Sequence, residues 1–382
     1  MAIKNKRLKV IGFAWYGLKI LLYLARKGKL KMAWNFLFVS LFSRDSGLAL
    51  LDPLFRRFPR LNPYPWCIEI ETSTACNLKC VMCEHTYWHE PPKFMTFDQF
   101  KRVIDQFPRL KRVGPSGIGN AFLNPDYPRM LEYLKKRNCY VEIFESCALL
   151  KERDIQTLVD LEIDKIWVSI EAATKDTYEK IRVGGNFEKT LSNIRLLAQL
   201  RDKARKPLPQ LAFHFIVNKL NIGEMLPYVD MVKDIVGDTK KHGTFIFFTA
   251  LLYFPEVDHL RISVSEELKN KTDERCRELH IFNAWSDNIT VDCPASQCMR
   301  WNEPFVLVSG DVQCCCAINE ANQRAYQLKH SFGNLFQTHF RDLWHSDVYG
   351  NFRKTLRGNV FPPICKYCRA FLAKNMLDKG KQ

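Results

Sequence analysis

Residues 66–83 read WCIEIETSTACNLKCVMC, a short β-favouring run that passes directly into three cysteines. Ile68 and Ile70 alternate with Glu69 and Glu71, the two-residue period of a strand. The CX3CX2C spacing of Cys76, Cys80 and Cys83 lets three thiolates from one loop converge on a metal centre. Three ligands leave a fourth position open. A structural zinc site would fill it with a side chain such as His85 or His89, whereas a [4Fe–4S] cluster on three cysteines keeps one iron free to bind a substrate or cofactor. The spacing alone admits both.

Outward from this stretch, strand-like runs recur at KRVG (111–114), YVEIFES (140–146), KIWVSIE (165–171), LAFHFIV (211–217) and GTFIFFTA (243–250). Between them stand helical patterns: FDQFKRVIDQF (97–107) with Thr96 as its N-cap, YPRMLEYLKKR (127–137) and FEKTLSNIRLLAQLRDKA (187–204). Strands separated by helices pair in parallel through right-handed crossovers. Six such units predict an α/β fold, a partial (β/α)6 TIM-type barrel whose site lies on the loops at the strand C-terminal ends. The expected organisation is a basic amphipathic helical segment over 1–60, a core domain over 61–260, a connector over 261–292, a small cysteine-rich domain over 293–370 and a polar tail over 371–382.

The chain has 382 residues, 47% of them hydrophobic and 26% charged, the composition of a folded protein. Its net charge of +16 is concentrated at one end, since residues 1–60 carry 13 basic and 2 acidic side chains. The rest of the chain is close to balance, so nucleic acid is not an expected partner. Fourteen cysteines at short spacings fit metal binding in a reducing compartment better than disulfides.

Val10 to Ala25 is an apolar run of 16 residues, short of the ~20 that span a bilayer as a helix. A signal peptide is the rival reading, but Leu24 and Ala25 lead into Arg26 and Lys27 without a cleavage pattern. On a helical projection Lys9, Gly12, Tyr16, Lys19, Tyr23, Arg26 and Lys27 form a polar stripe, with Leu18, Leu21, Leu22 and Leu24 elsewhere. The expectation is a helix lying on an anionic membrane surface, with a cytoplasmic, peripheral protein as the consequence. A helical hairpin packed on the catalytic domain is the alternative.

The cysteine loop and the segments after each strand resemble the radical S-adenosylmethionine (radical SAM) superfamily over about 66–260. The resemblance implies that Cys76, Cys80 and Cys83 hold a [4Fe–4S] cluster whose open iron binds SAM, and that SAM is cleaved reductively to a 5′-deoxyadenosyl radical. It also implies a one-electron donor such as flavodoxin or ferredoxin. Met82 stands at a commonly aromatic position and would contact adenine. Gly117-Ile-Gly119-Asn120 resembles the glycine-rich segment that binds the SAM amino group, with Asn120 in place of the usual Glu. Glu145-Ser146-Cys147 stands where relatives often have Thr-Asn-Gly. Cys147 is expected to be a buried, inert thiol rather than a hydrogen-atom donor. Ser169 and Glu171 would help bind SAM, Arg182 would pair with its carboxylate, and Asn221, with Asn218 and Glu224, belongs to a further SAM-facing segment.

Beyond the core, Cys293, Cys298, the Cys314-Cys315-Cys316 run and Cys365-Lys-Tyr-Cys368 accompany Gly333-Asn334-Leu335 and Asp342-Leu343-Trp344. This region resembles the SPASM or twitch extensions of the family, which hold auxiliary iron–sulfur clusters. The simplest assignment is one auxiliary [4Fe–4S] cluster on Cys298, Cys315, Cys365 and Cys368, with a zinc ribbon as the alternative. The expected substrate is lipid-linked or anionic, motivated by the basic N-terminus. A peptide, as SPASM-bearing relatives often modify, or another small molecule is the runner-up. A non-catalytic metal-binding scaffold on the membrane is the third reading.

Overall fold

Alternating strand positions divide the apolar residues into two sets with different surroundings. Ile68, Ile70, Val113, Val141, Ile143, Ile166, Val168, Phe213, Phe215, Ile246 and Phe248 are at most 1% exposed and share one core with helix side chains. Burial of each contributes about 1.5–3 kcal/mol. In the computed structural model, which describes residues 15–42, 64–251, 254–286, 303–316 and 324–357 with Pro362 and Cys365, the six expected strands form at β1 Cys67–Ile70, β2 Arg112–Gly114, β3 Tyr140–Glu145, β4 Lys165–Ser169, β5 Gln210–Val217 and β6 Phe245–Ala250. Neighbouring pairs are parallel throughout. The result is an open, partial barrel with helices on its outer face.

Local chemistry starts the helices where the sequence marks them. Thr96 accepts from Gln99 N while Gln99 accepts from Thr96 N, a reciprocal capping box at the head of Phe97–Asp105. Asn186 caps Phe187–Lys203 by accepting from Lys189 N.

The sheet is longer than six strands at both edges. The segment 261–292, expected as a connector, contains the helix Glu266–Glu278 and β7 Phe282–Trp285, which pairs in parallel with β6. That helix buries only Thr272 and Cys276, so it carries no apolar period to read. At the other edge, β8 Phe305–Val306 pairs in parallel with β1 and antiparallel with β9 Val312–Gln313. The cysteine-rich region therefore continues the barrel sheet instead of standing apart from it. Cys293, Cys298, Cys368 and the expected tail 371–382 lie outside the described residues.

The N-terminal segment takes the form given as the alternative, a helical hairpin packed on the barrel. Residues 15–26 form helix α1, and Leu30–Phe42 forms helix α2. The two make a hairpin docked on the barrel, with Tyr16, Ile20, Leu24, Met32, Phe36 and Val39 in one core with Tyr140 and Leu208. The polar stripe drawn from the sequence splits. Tyr16 Oη donates to the Pro207 carbonyl at 2.9 Å and Tyr23 Oη donates to Glu162 at 2.7 Å, so the Tyr16 ring is buried and the Tyr23 ring partly buried by the contact while their hydroxyls stay bonded. Leu24 faces the protein and Leu18 and Leu22 face outward.

The hairpin spans one end of the barrel. Its contacts are with Trp66, Lys111, Asn138, Glu162, Pro207 and Gly243. These residues stand one to three positions before β1, β2, β3, β4, β5 and β6 respectively. The hairpin therefore closes the N-terminal end of the barrel, opposite the loops that follow the strands. Among the described residues, no helix is long and apolar enough to cross a membrane.

Candidate functional site

The motifs singled out between residues 66 and 224 fall in the segments that follow the C-terminal ends of β1 to β5. The cysteine loop follows β1 and is held by its own backbone: Cys83 N donates to Cys80 O at 3.1 Å, Thr86 Oγ1 to Cys80 O at 2.6 Å and Tyr87 Oη to Val81 O at 2.9 Å. Lys79–Cys80 forms a small antiparallel ribbon with Arg182–Val183. This ribbon joins the cysteine loop to the segment after β4. Cys76, Cys80 and Cys83 pack together with Leu78 and Ala148, the latter from the loop after β3.

Three cysteines on one loop are a donor set that would suit a [4Fe–4S] cluster with one iron left open. His85 Nε2 is 2.9 Å from the Thr74 carbonyl, so one of the two histidines of the zinc alternative is turned to the backbone. Burial pushes the Cys80 and Cys83 thiols up, while the Arg182 guanidinium pulls Cys80 down. Bound iron would compensate the charge of thiolates buried here.

The glycine segment after β2 closes on the chain itself. A Cβ on Gly119 would lie 2.4 Å from Ala75 O, and one on Gly117 would lie 2.3 Å from Glu71 Cγ. These glycines let the loop approach β1 and the cysteine loop, a packing role beside any ligand role. Asn120 N donates to Ala75 O at 2.7 Å, its Oδ1 accepts from Phe122 N, and its Nδ2 donates to Asn77 Oδ1 at 3.4 Å. The amide side chain that replaces the usual carboxylate thus caps the turn beside the cysteine loop.

Glu171 and Arg182, to which the resemblance assigns separate contacts with SAM, bond to each other. Arg182 Nε and Nη2 both donate to Glu171 Oε2, the first at 2.6 Å, and Arg182 Nη1 lies 3.8 Å from Cys80 Sγ. Glu171 Oε1 is buried with no partner, an acceptor suited to a hydroxyl or amine of a bound cofactor. Asn221 donates through Nδ2 to Glu171 O and Ile216 O and accepts from Asn218 N. Its side chain ties the loop after β5 to the loop after β4. Glu224 accepts from Ala173 N and from Thr174. Ser169 ends β4, and Met82 packs with Ile181, Leu251 and Leu260.

Sequence reading missed a buried pin beneath these loops. Glu71, just beyond β1, accepts two bonds from Arg324 Nη2 at 2.8 and 2.9 Å and one from Val308 N at 3.0 Å. The Arg324 guanidinium lies over the Trp88 ring at 4.5 Å. One carboxylate therefore links β1, the chain after the cysteine loop and the C-terminal region. Its only sequence signal is an ionisable residue one step past an apolar strand.

The concave face of the sheet has a charged floor and an aromatic wall. Arg112 Nε donates to Glu142 at 2.8 Å, Lys165 lies beside the same carboxylate, and Trp167 Nε1 also donates to it. These cations hold Glu142 down at about 2 despite its burial. Toward the C-terminal ends, Phe144 stacks on Trp167 and His214 stacks on Phe247. Burial, and then Arg182, hold His214 at about 4, so its ring is neutral near pH 7. Phe144 remains 48% exposed.

In the C-terminal region Cys314 and Cys315 are buried and Cys365 packs against the same core, while Cys298 and Cys368 lie outside the described residues. No disulfide joins any described cysteine.

A family model described as the radical SAM superfamily matches residues 70–232, and one described as an iron–sulfur cluster-binding domain, SPASM, matches 298–369. The tungsten-containing aldehyde ferredoxin oxidoreductase cofactor-modifying protein of Pyrococcus furiosus is 24% identical over 317 residues, covering 78% of this chain and 86% of that protein. The crystal structure of Streptococcus suis SuiB bound to S-adenosylmethionine superposes with a TM-score of 0.63 at 13% identity, covering 93% of this chain and 85% of SuiB. SuiB bound to its precursor peptide SuiA gives a TM-score of 0.59 at 15% identity, covering 80% of this chain and 69% of that one.

Proposed function

Because the chain belongs to the radical SAM superfamily and carries a SPASM extension, we propose that this enzyme modifies a peptide whose target side chain enters the mouth of the barrel. Its cofactors are a [4Fe–4S] cluster, SAM and auxiliary iron–sulfur clusters; the first cluster and SAM, when bound and given one electron, would supply a 5′-deoxyadenosyl radical able to take a hydrogen atom from the substrate. In this reading Cys76, Cys80 and Cys83 hold the SAM-cleaving cluster, and Cys298, Cys315, Cys365 and Cys368 hold an auxiliary one. Glu171 and Arg182 shape the cofactor side of the mouth, with Met82, Ser169 and the 117–120 backbone beside them. Asn221 braces the adjoining loop. Flavodoxin or ferredoxin delivers the electron.

The observation that carries the peptide reading is the aromatic wall. Phe144, Trp167, His214 and Phe247 line the concave face above a floor where Arg112 and Lys165 flank the single carboxylate of Glu142. Such a wall holds an apolar or aromatic side chain by stacking and burial while the peptide backbone stays at the polar rim. SuiB, of the same fold, is described with a precursor peptide. The second reading, a lipid-linked or anionic substrate, is favoured by the basic N-terminus, which also motivates a peripheral location on the cytoplasmic membrane surface. The hairpin lies at the end of the barrel opposite the mouth, which favours a substrate arriving from the aqueous side.

The test is the rate of 5′-deoxyadenosine formation by the reconstituted holoenzyme, measured with pooled peptides and, separately, with polyprenyl phosphate in detergent. Stimulation by a peptide, with KM raised about tenfold in Phe144→Ala, is the expected result. Stimulation by the polyprenyl phosphate alone would select the second reading.

A further inference from the structure

The docked hairpin has a second face. Tyr16, Ile20 and Leu24 of α1 and Met32, Phe36 and Val39 of α2 point into the protein. On the opposite side Trp15 is 60%, Leu18 44%, Leu22 47%, Leu30 67% and Trp34 60% exposed. Positions 15, 18 and 22 recur at i, i+3 and i+7, and positions 30 and 34 at i and i+4, so each set shares one face of its helix. Large apolar side chains scattered singly over a surface need no explanation, but five on one hairpin do.

The charge around them is of one sign. Residues 15–42 contain Lys19, Arg26, Lys27, Lys29 and Lys31 and no Asp or Glu. Lys29 is paired inward with Glu162, and Lys19 lies over the Trp15 ring at 5.9 Å. Arg26, Lys27 and Lys31 are exposed around the turn between the helices. Tryptophans with leucines, bordered by cations, match the layering of a bilayer interface, where indoles sit at headgroup depth and lysine and arginine meet anionic headgroups.

Resting on the membrane location proposed above, we propose that this outer face is the docking plate for an anionic lipid bilayer and that it fixes the orientation of the enzyme. The hairpin covers the ends from which β1 to β6 begin, whereas the cysteine loop and aromatic mouth lie where they end. β5 alone, eight residues long, spans about 26 Å. The bilayer thus lies against the closed end, and the radical-generating mouth opens away from lipid into water. The plate anchors the enzyme without presenting lipid to the cluster.

The experiment uses full-length holoenzyme and vesicles of phosphatidylcholine with or without phosphatidylglycerol. Binding is followed by flotation and depth by quenching of tryptophan emission with brominated lipids. Expected results are binding to the anionic vesicles, quenching that disappears in Trp15→Phe/Trp34→Phe, and at least tenfold weaker binding of Leu18→Glu/Leu22→Glu with unchanged circular dichroism. Failure of wild type to bind any vesicle would overturn the membrane location itself. Binding with quenching retained in the Trp15→Phe/Trp34→Phe variant would overturn the plate alone, because another surface then touches lipid. A concentration-dependent dimer that Leu18→Glu/Leu22→Glu converts to monomer, without vesicle binding, would assign the face to a second copy and overturn the proposal.

Discussion

Cys80 and Arg182 are register partners in the ribbon formed by Lys79–Cys80 and Arg182–Val183, and the Arg182 side chain turns back so that Nη1 lies 3.8 Å from Cys80 Sγ. The same guanidinium holds Glu171 Oε2. One arginine therefore ties Cys80, proposed above as a cluster ligand, to the segment after β4.

The Glu171–Arg182 pair is buried, so breaking it leaves a charge without a partner. Arg182→Met is expected to cost about 3–5 kcal/mol, while Glu171→Met/Arg182→Met regains most of that stability because no lone charge remains. Neither variant is expected to form 5′-deoxyadenosine at the wild-type rate. Urea denaturation of the three proteins checks this; a double variant as unstable as the single one would show that packing, and not charge, governs the site.

Glu71 and Arg324 are 253 positions apart and tie the C-terminal region to β1. Arg324→Met is expected to cost about 3–5 kcal/mol by the same reasoning. It is also expected to raise hydrogen exchange at Val308, whose N–H donates to Glu71. Exchange confined to residues around position 324 would contradict the linking role.

Cys147 is fully buried with φ of +62°, the left-handed region that glycine tolerates best. Alanine and glycine both remove the sulfur, but only glycine relieves the backbone. Cys147→Gly is therefore expected to be about 1 kcal/mol more stable than Cys147→Ala, the reverse of the order in a helix or strand. Equal midpoints in urea would show that the site carries no such strain.

Burial pushes the Glu145 carboxyl up to about 7 from the ordinary 4.5, with only partial relief from Cys147 N and Ser146. An acid whose pKa is raised by folding stabilises the fold while protonated in both states, and loses that contribution as pH rises through about 4.5 to 7. Glu145→Gln stays neutral, so its stability relative to wild type is expected to rise across this window by up to about 3 kcal/mol. A wild-type-minus-variant difference that is flat between pH 4.5 and 7.5 would exclude this titration.

The six barrel strands are legible because each has an apolar outer face, and the start of the helix Phe97–Asp105 because Thr96 advertises its cap. The seventh strand is not, since Phe282–Trp285 is short and follows a helix made mostly of charged residues. The inward face of the hairpin is hard to read because Tyr16 and Tyr23 count as polar on a helical projection, whereas their rings pack in the contact and only their hydroxyl tips need partners. The motifs were placed correctly at the strand ends. What joins them was not visible, because Glu171–Arg182 and Glu71–Arg324 are pairings across loops that only the barrel brings together.

The most direct measurement is 5′-deoxyadenosine formation by anaerobically reconstituted protein with SAM and a strong reductant, comparing wild type with the Cys76→Ala/Cys80→Ala/Cys83→Ala variant. The expected result is product from wild type and none from the variant. Equal product from both, or none from iron-replete wild type in the presence of a substrate that it binds, would contradict assignment of the SAM-cleaving cluster to this loop.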